Sequence, residues 1–124
     1  MLATHDQTEL ATRTVVLALP DAALAAETAE LLGEAGWRVA RVAGCAELRR
    51  LCCRRMPDAV VLPADGPDES GWLTCAKLLR AAPRLRVVLV GEPTAVNRRL
   101  ARFIGATAVV PADVSAAELA DRME

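Results

Sequence analysis

Residues 38–62 read RVARVAGCAELRRLCCRRMPDAVVL, and their hydrophobic period changes twice. RVARV alternates apolar and basic residues, the pattern of a half-exposed strand at a sheet edge. Residues 46–55 then place Leu48, Leu51 and Cys52 on one side of a helix. AVVL, residues 59–62, is an unbroken apolar run too short for a helix, which predicts a strand buried on both faces. Strand, helix and buried strand in succession make a parallel crossover unit, with the helix laid on a face of the sheet.

The alternation continues in both directions. Upstream, TVVLAL at 14–19 is a second continuous apolar run, stopped by Pro20 and Asp21, and Asp21 can cap the helix that follows. In that helix Leu24, Thr28, Leu31, Leu32 and Ala35 share a face, Glu27, Glu30 and Glu34 lie outside, and Gly36 suits the residue past its end. Downstream, ADGPDES is a turn-rich loop, and Ser70 or Glu69 precedes a helix over 71–81. A strand at 86–90 follows. Thr94 then opens a helix whose Val96, Leu100, Phe103 and Ile104 form its apolar face. A last strand covers 107–110, and Ser115 with Glu118 spells the capping box of a short final helix. Five strands alternating with five helices predict an α/β parallel sheet covered on both faces.

Composition sets the bounds. The 124 residues suffice for one domain, read as 14–124, with 1–13 a leader that has no sustained periodicity. The chain is 53% hydrophobic, yet 25 of its residues are alanine and only 2% are aromatic, so the core is built from Leu, Val and Ala packed closely. Lys and Arg total 15 against 16 acids, a net charge of −1 that gives no field for nucleic acid or a membrane surface. No apolar run approaches the roughly 18 residues of a spanning helix, and MLATHDQTEL is no signal peptide. These features predict a soluble, cytoplasmic protein. Fourteen arginines against one lysine suggest a GC-rich genome.

Few residues offer chemistry. Cys45, Cys52, Cys53 and Cys75 fit no zinc spacing, and nothing indicates an oxidising compartment, so they read as reduced small hydrophobes. His5 is the one histidine and lies in the leader, and there is no tyrosine, which leaves little for acid–base catalysis near neutral pH. No G-x-G-x-x-G follows the first strand, and no P-loop lysine pattern occurs. The sequence therefore predicts no enzyme and no cofactor.

Order and spacing together resemble the receiver domain of bacterial two-component response regulators. GEAGWRVARVAGCAELRRLCCRRMPDAVVL (33–62) is similar to the family's run from the end of its first helix through its third strand. GATAVVPADVSAAEL (105–119) resembles its fifth strand and last helix, and PDESGW (67–72) its proline–acid–glycine loop before the third helix. The resemblance covers about residues 14–123 and implies the flavodoxin-like sheet with strand order 2-1-3-4-5.

A receiver's chemistry uses an attacking aspartate at the end of the third strand and acids after the first strand that hold Mg²⁺. A Ser or Thr after the fourth strand and a Lys after the fifth bind the phosphoryl oxygens. By this resemblance the acceptor position falls on Pro63, and the acid positions fall on Leu19 and Pro20, with Asp21 at the third place. The Ser/Thr position falls on Gly91 and the Lys position on Ala112, or on Pro111 in a register one residue off. Proline and leucine can neither attack phosphorus nor ligate a hard cation through a side chain. The expectation is a degenerate receiver, a pseudo-receiver without metal or cofactor, acting independently of phosphorylation as a dimerisation, docking or regulatory module in bacterial signalling.

Two alternatives stay open at this point. One is an atypical phosphoacceptor using Asp65, Asp58 or another nonstandard residue; the other is a small-molecule sensor whose crevice is lined by Leu19, Pro20, Pro63 and Gly91. The expected partner is a protein, either an output domain of the same protein or a second copy, with no direct contact to nucleic acid or membrane. The resemblance implies an interface on the fourth helix, fifth strand and fifth helix. There Arg98, Arg99 and Arg102 would face acids at Asp113, Glu118 and Asp121, with Arg122 four residues after Glu118.

Overall fold

A computed structural model describes residues 12–124. The assigned positions of His5 and of the leader up to residue 11 lie outside the described residues. Strands and helices alternate without exception: β1 (Thr14–Leu17), α1 (Ala22–Glu34), β2 (Arg38–Arg41), α2 (Cys45–Arg54), β3 (Ala59–Pro63), α3 (Gly71–Ala81), β4 (Arg86–Val90), α4 (Ala95–Ile104), β5 (Ala108–Val110) and α5 (Ala116–Met123). The strands form one parallel sheet in the order β2-β1-β3-β4-β5, the predicted one.

Burial explains the runs that mark the strands. Every residue of β3 is buried, as are Val87, Val88 and Leu89 of β4, because helices cover both faces of these central strands. β2 lies at the sheet edge and is not fully buried anywhere: Arg38 and Arg41 are exposed, while Val39 and Ala40 are half-buried. On one face, Val15, Leu17, Val61 and Val88 pack under Leu32 of α1 and Leu119 and Met123 of α5. On the other, Val16, Val60, Leu62 and Leu89 pack under Leu48 and Cys52 of α2 and Cys75, Leu78 and Leu79 of α3. Each fully buried Leu or Val contributes about 1.5–3 kcal/mol.

The helices start where capping residues place them. Asp21 accepts the Leu24 amide at 3.1 Å, Ser70 that of Leu73 at 3.4 Å, Thr94 that of Asn97 at 3.1 Å and Ser115 that of Glu118 at 3.1 Å. Gly36 and Gly105 follow α1 and α4 with φ of 97° and 101°, the left-handed geometry that ends a helix. In α1 the inward positions are Ala25, Thr28 and Leu32, so Leu31 falls on the margin and is exposed.

Arg13 belongs to the fold. Its guanidinium lies 4.2 Å from the centre of the Trp37 ring and 3.2 Å from Glu124, and its carbonyl accepts the Arg38 amide at 2.8 Å. Trp37, 5% exposed, donates its indole N–H to Glu124 at 3.0 Å. The start of β1 and the last residue of the chain are therefore clasped at one side of the sheet.

Candidate functional site

The crevice of this fold lies where the strands end at their carboxyl edge. Leu19, just beyond β1, is buried; Pro20 is exposed, and the carboxylate of Asp21 serves the α1 cap. Pro63 closes β3, buried and paired with Val90, and its carbonyl faces the Cys45 thiol at 3.9 Å. Beyond it, Ala64 donates to Val90 at 2.9 Å and accepts the Gly71 amide at 2.8 Å, so the start of α3 sits on the end of β3. A Cβ on Gly71 would lie 1.9 Å from the Pro63 oxygen, and one on Gly91 would lie 2.9 Å from Cβ of Ala64. Glycine is what lets these segments meet. Ala112 is exposed in the turn after β5.

These groups do not fit the Mg²⁺ that the resemblance implies. A hard cation needs several oxygen ligands, and Leu19, Pro20 and Pro63 offer apolar side chains where the acids would stand. Among the described residues no three of His, Cys, Asp and Glu are grouped to hold a metal ion. The alternative acids lie elsewhere. Asp58 sits at the start of β3, where its carboxylate accepts the Thr14 amide at 2.8 Å. Asp65 is exposed and forms an antiparallel bridge with Ser70.

Asp68 and Glu69, two of the three acids of the loop before α3, do something the sequence did not signal. Asp68 accepts the Ala46 amide at 2.8 Å, and Glu69 receives Arg49 through Nε and Nη2 at 3.3 and 3.2 Å and the Thr74 hydroxyl at 2.8 Å. Both carboxyls are held below their ordinary range, Asp68 chiefly by the Ala46 amide and Glu69 chiefly by Arg49. The available clue is Gly44, the N-cap of α2, which has no side chain to cap with. The loop supplies the missing acceptor and is tied to α2 through Asp68 and Glu69.

The cysteines are all free among the described residues: Cys45, Cys52 and Cys75 are buried and Cys53 is exposed. Burial, joined at Cys45 by the charges of Asp68 and Glu69, pushes the three buried thiols up to about 11, which keeps them protonated and unreactive.

On the opposite flank, α4 departs from its expected packing. Its one buried residue is Ala101, while Val96 is 68% exposed and Phe103 88%. Its apolar stripe faces solvent and only Ile104 turns partly inward. Arg98 and Arg102, on the other side of that stripe, line a groove of about 400 Å³ along β5 together with Arg122 of α5. The structure thus gathers three of the interface arginines in one place. Arg99 is exposed on the outer side of α4, and Asp113, Glu118 and Asp121 are exposed. Neither of the ion pairs seen among the described residues, Arg13–Glu124 and Arg49–Glu69, involves any of these groups. Arg86 reaches the same corner by donating to the Arg122 carbonyl at 2.9 Å.

No protein-family model matches the sequence, and no curated protein matches it. Solved structures do. A CheY-like response regulator receiver domain protein from Methanospirillum hungatei superimposes with a TM-score of 0.81 at 18% identity, over 91% of this chain and 91% of that one. The chemotaxis protein CheY4 of Vibrio cholerae gives 0.80 at 14% identity, over 91% and 97%. The signal receiver domain of the response regulator NarL from Mycobacterium tuberculosis gives 0.74 at 19% identity, over 90% and 93%. At such identities the likeness is one of fold, and over nine-tenths of its length this chain folds as the CheY-like receiver domains do.

Proposed function

We propose that this domain is a pseudo-receiver, a phosphorylation-independent protein-interaction module of bacterial signalling that works in the cytoplasm, and not an enzyme. One observation carries the reading. The residue at the end of β3 is a buried proline, and the residues around it at the strand ends are Leu19, Gly91 and Ala112. A phosphoryl acceptor must be a nucleophile within reach of a charge-neutralising partner. Pro63 is no nucleophile, and Asp58 and Asp68, the nearest acids in sequence other than Asp65, are engaged in backbone hydrogen bonds.

The loop tether supports the same reading. A switch needs an element with two arrangements of similar energy, whereas Asp68 and Glu69 hold the loop before α3 against α2 in one of them. What the fold then offers a partner is its surface.

The test is incubation with acetyl phosphate and Mg²⁺ followed by intact mass spectrometry. The expected result is an unchanged mass. Stoichiometric gain of about 80 Da, one phosphoryl group, would overturn the reading and point to Asp65 as the acceptor, which Asp65→Asn would then check.

A further inference from the structure

The arginine groove lies on the free edge of the sheet. β5 pairs with β4 alone, so its second edge is open. Ala108 and Val109 point to opposite faces of the sheet, yet both line the groove, which therefore straddles that edge between α4 and α5. Gly91 donates its N–H to the Val110 carbonyl at 2.8 Å, which turns Val110 toward β4. Backbone groups alternate in direction along a strand, so the N–H and C=O of Val109 face the open edge.

The walls of the groove are cationic. Arg98 and Arg102 stand on α4 and Arg122 on α5, no acid lines the groove, and among the described residues none of the three arginines is paired with a carboxylate. Glu118 and Asp121, on the same helix as Arg122, lie outside the lining. Arg86, bonded to the Arg122 carbonyl at 2.9 Å, brings a fourth guanidinium to this corner, and its Nε is buried without a partner. Ala101, Ala106 and Ala108 keep the floor low enough for a backbone to approach.

These features together select the occupant. Cations on both walls call for negative charge, and an open strand edge calls for an extended peptide, which supplies a backbone donor and acceptor that a free anion lacks. The spacings agree: Arg98 and Arg102, four residues apart, are separated by about 6 Å along the helix axis, and alternate side chains on one face of a strand by about 6.7 Å. Acids at the first and third positions of a triplet would meet Arg98 and Arg102, and the middle acid, on the other face, would meet Arg122. No run of three acids occurs in this sequence, so the segment comes from a different protein.

We propose that the β5 edge takes up an extended segment of a partner protein carrying three consecutive acids, which adds to the sheet as a sixth strand between α4 and α5. This rests on the reading of the domain as an interaction module and names the chemistry of its partner. One short strand buries less than the roughly 1,200–2,000 Å² of a stable interface. The association is accordingly weak, and salt weakens it further by screening the charges.

The test is an amide NMR titration of the protein with the end-blocked peptide TVEEEVT at low salt. The expected result is saturable binding with a Kd of about 0.1–1 mM, a downfield shift of the Val109 amide, and shifts at Nε–H of Arg98, Arg102 and Arg122. Affinity should fall at least about tenfold in Arg102→Glu and in Arg122→Glu; both residues are exposed, and circular dichroism confirms that the variants are folded. The peptide N-methylated at its three glutamates keeps its charge but loses backbone donors, and it too should bind at least about tenfold more weakly. Four results overturn the proposal: no saturable shifts up to about 5 mM peptide, affinity unchanged in either arginine variant, equal binding of the N-methylated peptide, or the same shifts produced by inorganic phosphate at the same concentrations. The intact-mass experiment reads phosphorylation separately, so failure of one does not stand for failure of the other.

Discussion

Asp68 and Ala46, 22 residues apart in the chain, are joined by a 2.8 Å hydrogen bond from the Ala46 amide to the Asp68 carboxylate. The bond caps α2 from outside, because Gly44 at its N-cap has no acceptor of its own. Asp68→Ala should therefore loosen both the helix start and the loop. The expected outcome is a lower midpoint in urea unfolding than for Asp65→Ala, a control on an exposed neighbour in the same loop. Faster amide exchange at Cys45 and Ala46 in the Asp68 variant should accompany it.

Acid should weaken the protein through identifiable groups. Asp68, Glu69 and Glu124 have carboxyls held below their ordinary values of 3.8 and 4.5, chiefly by the Ala46 amide, by Arg49 and by the Trp37 indole respectively. A lowered folded pKa means that the unfolded chain takes up protons first. The stabilisation is thus complete above those ordinary values and is lost as pH falls through the lower folded ones. Thermal melts between about pH 6 and pH 3 should show a falling midpoint, and the slope should be shallower in Glu69→Gln/Glu124→Gln.

Two glycines should respond oppositely to alanine. At Gly71 the new Cβ would lie 1.9 Å from the Pro63 oxygen, so α3 must back away from β3, at a cost of about 1–3 kcal/mol. Gly33 lies within α1 with nothing within 4 Å of the same atom, and Gly33→Ala should stabilise by about 0.5–1 kcal/mol. Urea denaturation of both variants checks the pair, and equal signs would contradict the packing described for the strand ends.

Pro63→Asp should not turn the domain into a phosphoacceptor. The carboxylate would enter a buried position with Leu19, Ala64 and Gly91 nearby and no cation to meet it, which costs about 1–3 kcal/mol. Lower stability, no mass gain with acetyl phosphate, and no saturable Mg²⁺ binding in calorimetry are the expected results. Phosphorylation restored by this one substitution would show that the other strand-end residues matter less than their chemistry implies.

The strands and their caps were legible in the sequence because both are local. A buried parallel strand is an unbroken apolar run, as in residues 59–62, and Asp21, Ser70, Thr94 and Ser115 each bond an amide three residues on. The packing of α4 was not legible for a physical reason. Periodicity reports that Val96, Leu100 and Phe103 share a side, but not whether the sheet lies on that side. Here β5 is a three-residue edge strand, and the helix beside it buries only Ala101 fully and Ile104 in part. Contacts distant in sequence were equally hidden: the Asp68 cap on α2, the Arg49–Glu69 pair and the three arginines brought together over β5 all depend on how separate elements dock.

The clasp of Arg13, Trp37 and Glu124 has a topological consequence. Arg13 touches Glu124 at 3.2 Å on the side of the sheet away from the strand-end crevice. Because the two residues are 111 positions apart, this one side-chain contact closes a loop that runs through all five strands and all five helices.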